Sequence, residues 1–284
     1  MTSLPTSRLF VTDFDGTLLT DGKIIHSSDL KTLHRLREKR ITTAIATGRS
    51  LYSFQRALDQ MGMEQNRLPV DYLIFSTGAG IMDLSNGRIL LSHAIPRQDL
   101  VKITTYFDTI EFDYMVHRAI PDTPYFLFKS HGSENPDFQN RIRLYPSFGQ
   151  PLEGSRLFKS ATQVLAIVPN GIDQNRVAYI RSSLEDFSVI QATSPLDHSS
   201  AWIEVFHKRV SKSATVSWLA QQLDIPRNQV VSVGNDYNDQ DLLEWSGQGF
   251  LVENGPRDMK PAFELVASNN NCGVSQSIFA AGLL

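Results

Sequence analysis

The chain has 284 residues, of which 41% are hydrophobic and 20% charged, and 27 Lys and Arg against 30 Asp and Glu leave a formal net charge of -3. That balance offers no electrostatic footprint for nucleic acid or a polybasic membrane contact, and no apolar run approaches the roughly 20 residues of a membrane-spanning helix. The length suits one large domain or two modest ones, each able to bury a core.

In chain order, Met1–Arg8 lacks the basic stretch and apolar core of a secretory signal, which fits a cytoplasmic location. Leu9–Val11 reads as a buried strand leading into Asp13-Phe14-Asp15-Gly16-Thr17. Residues two apart share a side of an extended strand. The two carboxylates repel unless a cation lies between them, and a hard divalent ion with oxygen ligands suits that place. Ser27 or Ser28 is expected to cap a helix running to about Lys39, with Leu30, Leu33 and Leu36 on one face. Thr42–Ala46 is a second strand, ending in Thr47-Gly48-Arg49-Ser50. A hydroxyl and main-chain amides at a helix start can cradle phosphate, although Ser50 as a simple helix cap explains the same residues. A helix with Leu51, Phe54 and Leu58 on its apolar face follows, then a third strand, Tyr72–Phe75. Strands alternating with amphipathic helices predict a parallel sheet covered on both faces. Its ligands bind beyond the carboxyl ends of the strands, where Asp13, Thr47 and Ser76 fall.

The pattern then changes. Ile81–Leu91 reads as a hairpin turning at Asn86-Gly87. From about Pro96 to Ser199 an inserted α+β domain is expected, with helices over Arg97–Phe107 and Gln174–Leu184 and strands over Phe126–Lys129, Gln163–Val168 and Phe187–Ala192. Lys129–Pro151 is polar and takes no assignment. His117, Arg118, Lys129 and His198 are candidate ligand contacts here, while Tyr114, Tyr125 and Phe126 read as core. The alternating pattern resumes near Trp202. Ser211 or Lys212 starts a helix carrying Val216, Leu219, Ala220 and Leu223. Val230–Val233 is a strand that opens directly into Gly234-Asn235-Asp236-Tyr237-Asn238-Asp239, a second acidic strand end. Helix Gln240–Trp245, strand Gly249–Val252 and a mildly apolar tail, Gln276–Leu284, complete the chain. The single Cys272 cannot form an internal disulfide, in keeping with a reducing compartment, and with no His near it in sequence it reads as a packed or surface thiol. The seven His have no zinc-site spacing.

These segments resemble, in order, the four motifs of the haloacid dehalogenase superfamily. Asp13-Phe14-Asp15-Gly16-Thr17-Leu18 is similar to the first motif, whose phosphatase members use the first Asp as nucleophile and the second as general acid/base. The presence of Asp15 favours phosphoryl transfer over dehalogenation. Thr47-Gly48-Arg49-Ser50 resembles the second motif, which implies that Thr47 binds the phosphoryl group, and Arg49 is expected to reach the substrate or the cap interface. Lys212 resembles the third, its ammonium balancing Asp13 and the phosphoryl oxygens. Gly234–Asp239 resembles the fourth, G-D-x-x-N-D, with Asn235 where the metal-binding Asp is usual. Either Asn235 ligates through its carbonyl oxygen, or Asp236 shifts in register to do so, or Asp239 carries more of the load; Asn235 supported by Asp239 is the preferred set. Asn238 is expected to touch phosphate or orient a ligand. The implied Mg2+ shell is Asp13, the Asp15 main-chain carbonyl, Asn235, substrate phosphate and water. Phe75-Ser76-Thr77-Gly78-Ala79 resembles the N-G-A segment before the cap, with Thr77 for Asn.

The insertion lies between the second and third motifs, like the C2 caps of type IIB in the Cof-like and sucrose-phosphatase-like groups. The resemblance implies an α/β fold: a Rossmann-like three-layer parallel-sheet core, residues 1–84 and 200–284, with an inserted α+β cap of C2B type, residues 85–199. The implied function is a cytoplasmic, Mg2+-dependent phosphatase of small phosphorylated metabolites, sugar phosphates above all, acting through an aspartyl-phosphate on Asp13. The rivals are a phosphotransferase or mutase with the same intermediate and, because of Asn235, a non-catalytic phospho-ligand binding module.

Overall fold

Strands buried on both faces read as unbroken apolar runs, and β1 (Leu9–Thr12) is such a strand, buried along its whole length. The computed structural model describes residues 8–132, 134–154 and 156–284. The expectation for the amino-terminal segment therefore lies outside the described residues up to position 7.

In chain order, β1 is followed by α1 (Ser27–Glu38), β2 (Thr42–Ala46), α2 (Leu51–Gln60), β3 (Tyr72–Phe75), β4 (Gly80–Asp83) and β5 (Arg88–Ser92). Next come β6 (Ile95–Pro96), α3 (Arg97–Thr109), β7 (Tyr114–Arg118), β8 (Phe126–Lys129), α4 (Pro136–Leu144), β9 (Gly149–Pro151), β10 (Ser160–Val168), α5 (Gln174–Ser183), β11 (Phe187–Thr193) and β12 (Ala201–His207). The last elements are α6 (Lys212–Gln222), β13 (Val230–Gly234), α7 (Gln240–Trp245), β14 (Gln248–Val252), β15 (Glu264–Val266) and α8 (Gly273–Ala280).

The chain divides into two compact units. The first takes the described residues up to Arg49, with Ser53–Leu91 and Ser211–Leu284; the second takes Ser50–Tyr52 and Ser92–Val210. The sequence placed the changes near residues 84 and 199. In the structure β5 joins the first sheet and β12 the second, so the divisions fall after Leu91 and Val210.

The first unit is built on a sheet of order β15-β14-β13-β1-β2-β3-β4-β5. The pairs from β15 to β3 are parallel, and β4 returns antiparallel to β3. Leu9 and Val11, with Ala44, Ala46 and Ile74 of neighbouring strands, pack on Val216, Leu219 and Ala220 of α6. The strand order reverses beside β1, so the carboxyl ends of β1, β2 and β13 open one crevice. A separate recess of about 290 Å³ touches Thr42, Asp71 and Tyr72 at the amino ends of β2 and β3, away from that crevice.

The second unit has a sheet of order β11-β12-β10-β7-β8-β9, antiparallel except for the β8–β9 pair. Leu100, Ile103 and Phe107 of α3 and Val177 and Ile180 of α5 join the core on one face. Phe138 of α4 packs with Met115, Leu165, Ile167 and Trp202 on the other. The unassigned stretch 129–151 thus resolves into α4 and β9, with Asn135 capping α4 by accepting from the Phe138 amide. Among the strands that went unread, β7 and β12 have apolar patterns interrupted by His117 and Glu204. Tyr114 and Phe126 are core as expected, whereas Tyr125 is exposed and stacks under Arg118.

Candidate active site

Four strand ends bring the motif residues of the first unit together. Asp13 follows β1 and donates its amide to the Val233 carbonyl of β13 at 2.9 Å. Its side chain is buried, 4% exposed, and meets a lysine that is wholly buried. Lys212 Nζ donates to Asp13 Oδ1 at 2.7 Å and also to Asp239 Oδ1. One ammonium thus serves two buried carboxylates. Burial, then the charge of Asp239, pushes the Asp13 carboxyl up to about 7, against the pull of Lys212. Burial works against the Lys212 charge as well, but Asp13 and Asp239 outweigh it and hold its pKa above the ordinary range.

Lys212 is placed by its own helix start and by the turn after β3. Ser211 caps α6, its side chain accepting from the Ala214 amide. Ser76 and Thr77 both take positive φ, 49° and 57°. Gly78 follows at φ 100°, where a Cβ would run into the Ser211 carbonyl. Thr215 Oγ1 then donates to the Gly78 carbonyl at 2.7 Å, clamping this turn onto the first turn of α6.

Asp15 is held by Arg49. Arg49 Nε donates to Asp15 Oδ2 at 2.6 Å and Nη2 to Oδ1 at 2.7 Å, while Nη1 donates to the Ser53 carbonyl at 3.1 Å. Thr47 is buried at the end of β2, with its Oγ1 accepting from the Arg49 amide at 3.1 Å. A Cβ on Gly48 would lie 3.6 Å from both Asn238 Nδ2 and Thr77 Oγ1, so these two side chains stand over the Thr47–Arg49 turn.

The Gly234–Asp239 loop is pinned by its last residue. Asp239 Oδ2 accepts from the amides of Asn235 and Asp236 at 2.8 and 3.1 Å, while Oδ1 takes Lys212. Both oxygens are committed inside the protein, so Asp239 serves as the loop's anchor and the counter-ion of Lys212. Asp236 accepts from the Asp239 amide in a reciprocal cap. These commitments leave Asn235 to face the two motif aspartates.

One terminal atom of the Asn235 amide lies 2.9 Å from the Asp15 carbonyl oxygen, 3.1 Å from Asp13 Oδ2 and 3.2 Å from Thr17 Oγ1. A half-turn of the amide exchanges which atom stands there. With nitrogen inward, its two N–H groups face these three oxygens. With oxygen inward, it accepts from the Thr17 hydroxyl and converges with two other acceptors. Acceptor oxygens about 3 Å apart match neighbouring ligands of an octahedron with Mg–O bonds of about 2.1 Å. The donor set therefore fits Mg2+, with an amide in place of one carboxylate. No group of three or more His, Cys, Asp or Glu side chains arranged for a metal occurs among the described residues. Gly16 permits the approach: at φ +73°, a Cβ there would stand 2.6 Å from Asn235 Nδ2.

Residues 10–278 match the family model described as haloacid dehalogenase-like hydrolase. The chain belongs to this family. Among curated relatives, this hydrolase is similar to the 5-amino-6-(5-phospho-D-ribitylamino)uracil phosphatase YitU of Bacillus subtilis, at 28% identity over 280 residues, covering 94% of this chain and 95% of the relative. It is also similar to the phosphatase YwpJ of Bacillus subtilis, at 22% identity, covering 93% and 95% of the two chains. The fold is shared with the solved phosphatase BT1666 from Bacteroides thetaiotaomicron, at TM-score 0.76 and 17% identity, covering 98% of this chain and 96% of the other. It is shared as well with the HAD subclass IIB sugar phosphatase BT4131, at TM-score 0.75 and 16% identity, covering 98% and 100%. This hydrolase thus shares with these phosphatases an α/β fold of a Rossmann-like core with an inserted α+β unit.

The remaining candidates of the hydrolase lie in the second unit. Lys129 pairs with Asp108 at 2.7 Å, Arg118 lies over Tyr125 and Phe158, His198 is exposed, and His117 is buried. Cys272 does have a histidine partner. Its Sγ lies 3.1 Å from Nδ1 of His26, which also accepts from the Ser28 amide and so caps α1 in place of the expected serine. Burial pushes the thiol up, the Asp29 charge adds to this, and the pair is not an activated nucleophile. No helix among the described residues is long and apolar enough to cross a membrane.

Proposed function

We propose that this hydrolase is a Mg2+-dependent phosphatase of small phosphate monoesters, sugar phosphates foremost, working through an aspartyl-phosphate on Asp13. The observation that carries the reading is the buried Asp13–Lys212 pair beside the convergent oxygens of Asp13, Asp15 and Asn235. Asp13, the Asp15 carbonyl and Asn235 would hold the ion, which supplies positive charge on the phosphoryl oxygens. A sugar substrate is favoured by the likeness to a IIB sugar phosphatase and to a relative named for a phosphoribityl compound. The second unit, Ser92–Val210, is proposed as the cap that selects the leaving group.

An Asp13 carboxylate oxygen attacks phosphorus, the ester P–O bond breaks, and the leaving oxygen takes the proton of Asp15. Water then attacks the phosphorus of the acyl phosphate, Asp15 takes the water's proton, and inorganic phosphate leaves with Asp13 restored as a carboxylate. Lys212 holds Asp13 in line and neutralises charge on the phosphoryl group. The hydroxyl of Thr47 and the amides after it bind the transferring group, with Asn238 beside them. Arg49 holds the Asp15 carboxylate in its fork and sets its orientation.

Phosphate release from a panel of sugar phosphates with Mg2+ tests the proposal, with Asp13→Asn run alongside. Wild-type turnover that the variant lacks is expected. Equal release by both proteins overturns it, and transfer of labelled phosphate to a second sugar would make the enzyme a phosphotransferase.

A further inference from the structure

The turn after β14 reaches into the first unit's site from outside the four motifs. In the first sheet β13 lies between β14 and β1. Neighbouring strands are about 4.8 Å apart, so a link from the end of β14 to the end of β1 has to cross beside the β13 loop. Asn254 makes that link: its Nδ2 donates to the Gly16 carbonyl at 2.7 Å. Gly255 meets the loop being crossed. A Cβ there would stand 3.1 Å from the Asn235 carbonyl oxygen and 2.9 Å from the Leu251 side chain. One Asn-Gly pair therefore touches both loops that carry the proposed metal oxygens.

Asn254 is itself held from behind. Its Oδ1 accepts from the Asn269 amide at 3.0 Å, which leaves its nitrogen turned toward Gly16. Asn269, past the end of β15, is buried at 1% exposure. Its Nδ2 donates to the Leu19 carbonyl at 3.1 Å and to Asp21 Oδ1 at 3.0 Å. Those two acceptors fix the orientation of the amide, although its own Oδ1 is then buried without a partner among the described residues. An orphaned buried acceptor costs stability. The fold bears that cost where two asparagine donors hold the segment from Gly16 to Asp21.

The held carbonyl matters because of what precedes it. The Asp15 carbonyl, a proposed Mg2+ ligand, belongs to the peptide that enters Gly16, and the carbonyl bound by Asn254 belongs to the peptide that leaves. Between them lies a single residue at φ +73°, a glycine with no side chain to restrict its rotation. A Cβ on that glycine would stand 2.6 Å from Asn235 Nδ2 and 3.7 Å from Asn254 Nδ2, so the two asparagines flank the same peptide. Anchoring the outgoing carbonyl limits the rotation of the incoming one and keeps it beside Asn235. Mg2+ demands near-ideal octahedral geometry, so the spacing of these oxygens governs how tightly it binds. We propose that Asn254, backed by Asn269, is a positioning residue of the metal site, setting the Asp15 carbonyl and Asn235 at the spacing the ion requires. This rests on the Mg2+ reading above and deepens it with a residue that lies in none of the four motifs.

Calorimetric titration of the full chain with Mg2+ alone tests this, beside urea unfolding of the same proteins without metal. Asn254→Ala should weaken the Kd by about tenfold or more, the usual loss when a group that orients a metal ligand is removed. Asn254→Gln, which keeps an N–H donor, should recover part of that loss. Gly255→Ala, whose methyl presses on the Asn235 carbonyl, should weaken binding from the other loop. Asn254 is exposed, so the urea midpoint of Asn254→Ala should stay close to wild type. An unchanged Kd in Asn254→Ala overturns the proposal. A lowered urea midpoint with the Kd unchanged overturns it too, because the asparagines would then be a structural tie alone. A wild type that binds no Mg2+ sinks the metal reading and this inference with it, whereas wild-type binding that Asn254→Ala leaves intact sinks the inference alone.

Discussion

Arg49 closes on Asp15 with both arms of its fork, at 2.6 and 2.7 Å, while its guanidinium lies 5.6 Å from the centre of the Phe14 ring. A bidentate pair fixes the orientation of the carboxylate as well as its charge. Phe14, buried and set edge-on to Phe54 at 4.9 Å, fixes the platform beneath it. The arginine of the second motif therefore positions the proposed acid/base of the first. Arg49→Met should lower kcat and raise KM for a sugar phosphate, each on the order of tenfold, and Arg49→Lys should not rescue, because an ammonium cannot reproduce the fork. Steady-state kinetics on both variants decide this, and full activity in Arg49→Lys would remove the orienting role.

Asn235→Asp exchanges an amide for an anion at the point where three oxygens meet. In the metal-free protein it loses the amide donor that satisfies Asp15 and Asp13 at 2.9 and 3.1 Å, and adds charge beside a buried carboxylate. The metal-free variant should therefore melt below wild type. Mg2+ should bind it more tightly, by about tenfold or more, since an anionic oxygen is the stronger ligand for a hard cation. Melting curves and calorimetric titration give both halves, and an unchanged or weaker Mg2+ midpoint would reject Asn235 as a ligand.

The elements that could be read from sequence are those with a local cause. Leu9–Val11 and Val230–Val233 are unbroken apolar runs because parallel strands are covered on both faces, and each ends in a glycine-containing acidic loop that cannot continue the strand. β15 escaped because Glu264 and Leu265 are exposed on an edge strand and leave almost no apolar signal. The pairing of side chains was harder. Arg49 and Asp15 are 34 residues apart, Cys272 and His26 are 246 apart, and neither contact has a periodicity to betray it. The same holds for Asp239. Its place in the motif suggested a metal ligand, but only the folded loop reveals that its oxygens are already taken by two amides and Lys212. His117 could be named as a candidate, whereas its partner, the Thr123 carbonyl 3.0 Å from Nδ1, is supplied by the fold alone.

Lys212→Met tests the buried triad through stability. It leaves Asp13 and Asp239 facing each other without a cation, at a cost of roughly 3 kcal/mol at neutral pH. Protonation relieves that repulsion, so the loss should be smaller at pH 5 than at pH 8. Urea unfolding at the two pH values measures it, and a loss that is the same at both would mean the carboxylates do not interact. Turnover should vanish in the same variant.

Mg2+ binding should be linked to a proton on Asp13. The carboxyl has an ordinary value of 3.8 and is raised to about 7 in the folded, metal-free protein. Between those values the folded state holds more protons than the unfolded state, so stability falls as pH rises through this window and levels off above about 7. A divalent cation beside Asp13 favours the ionised form and must displace the proton. The apparent Kd for Mg2+ should therefore tighten with rising pH, by up to about tenfold per unit below pH 7, and stop changing above it. The stabilisation by a fixed excess of Mg2+ should grow over the same range. Titration calorimetry in two buffers of different ionisation enthalpy would count the released proton at pH 6. A count of zero there, with a Kd flat from pH 5 to 8, would mean that Asp13 is already ionised without the metal and that Lys212 alone balances its charge.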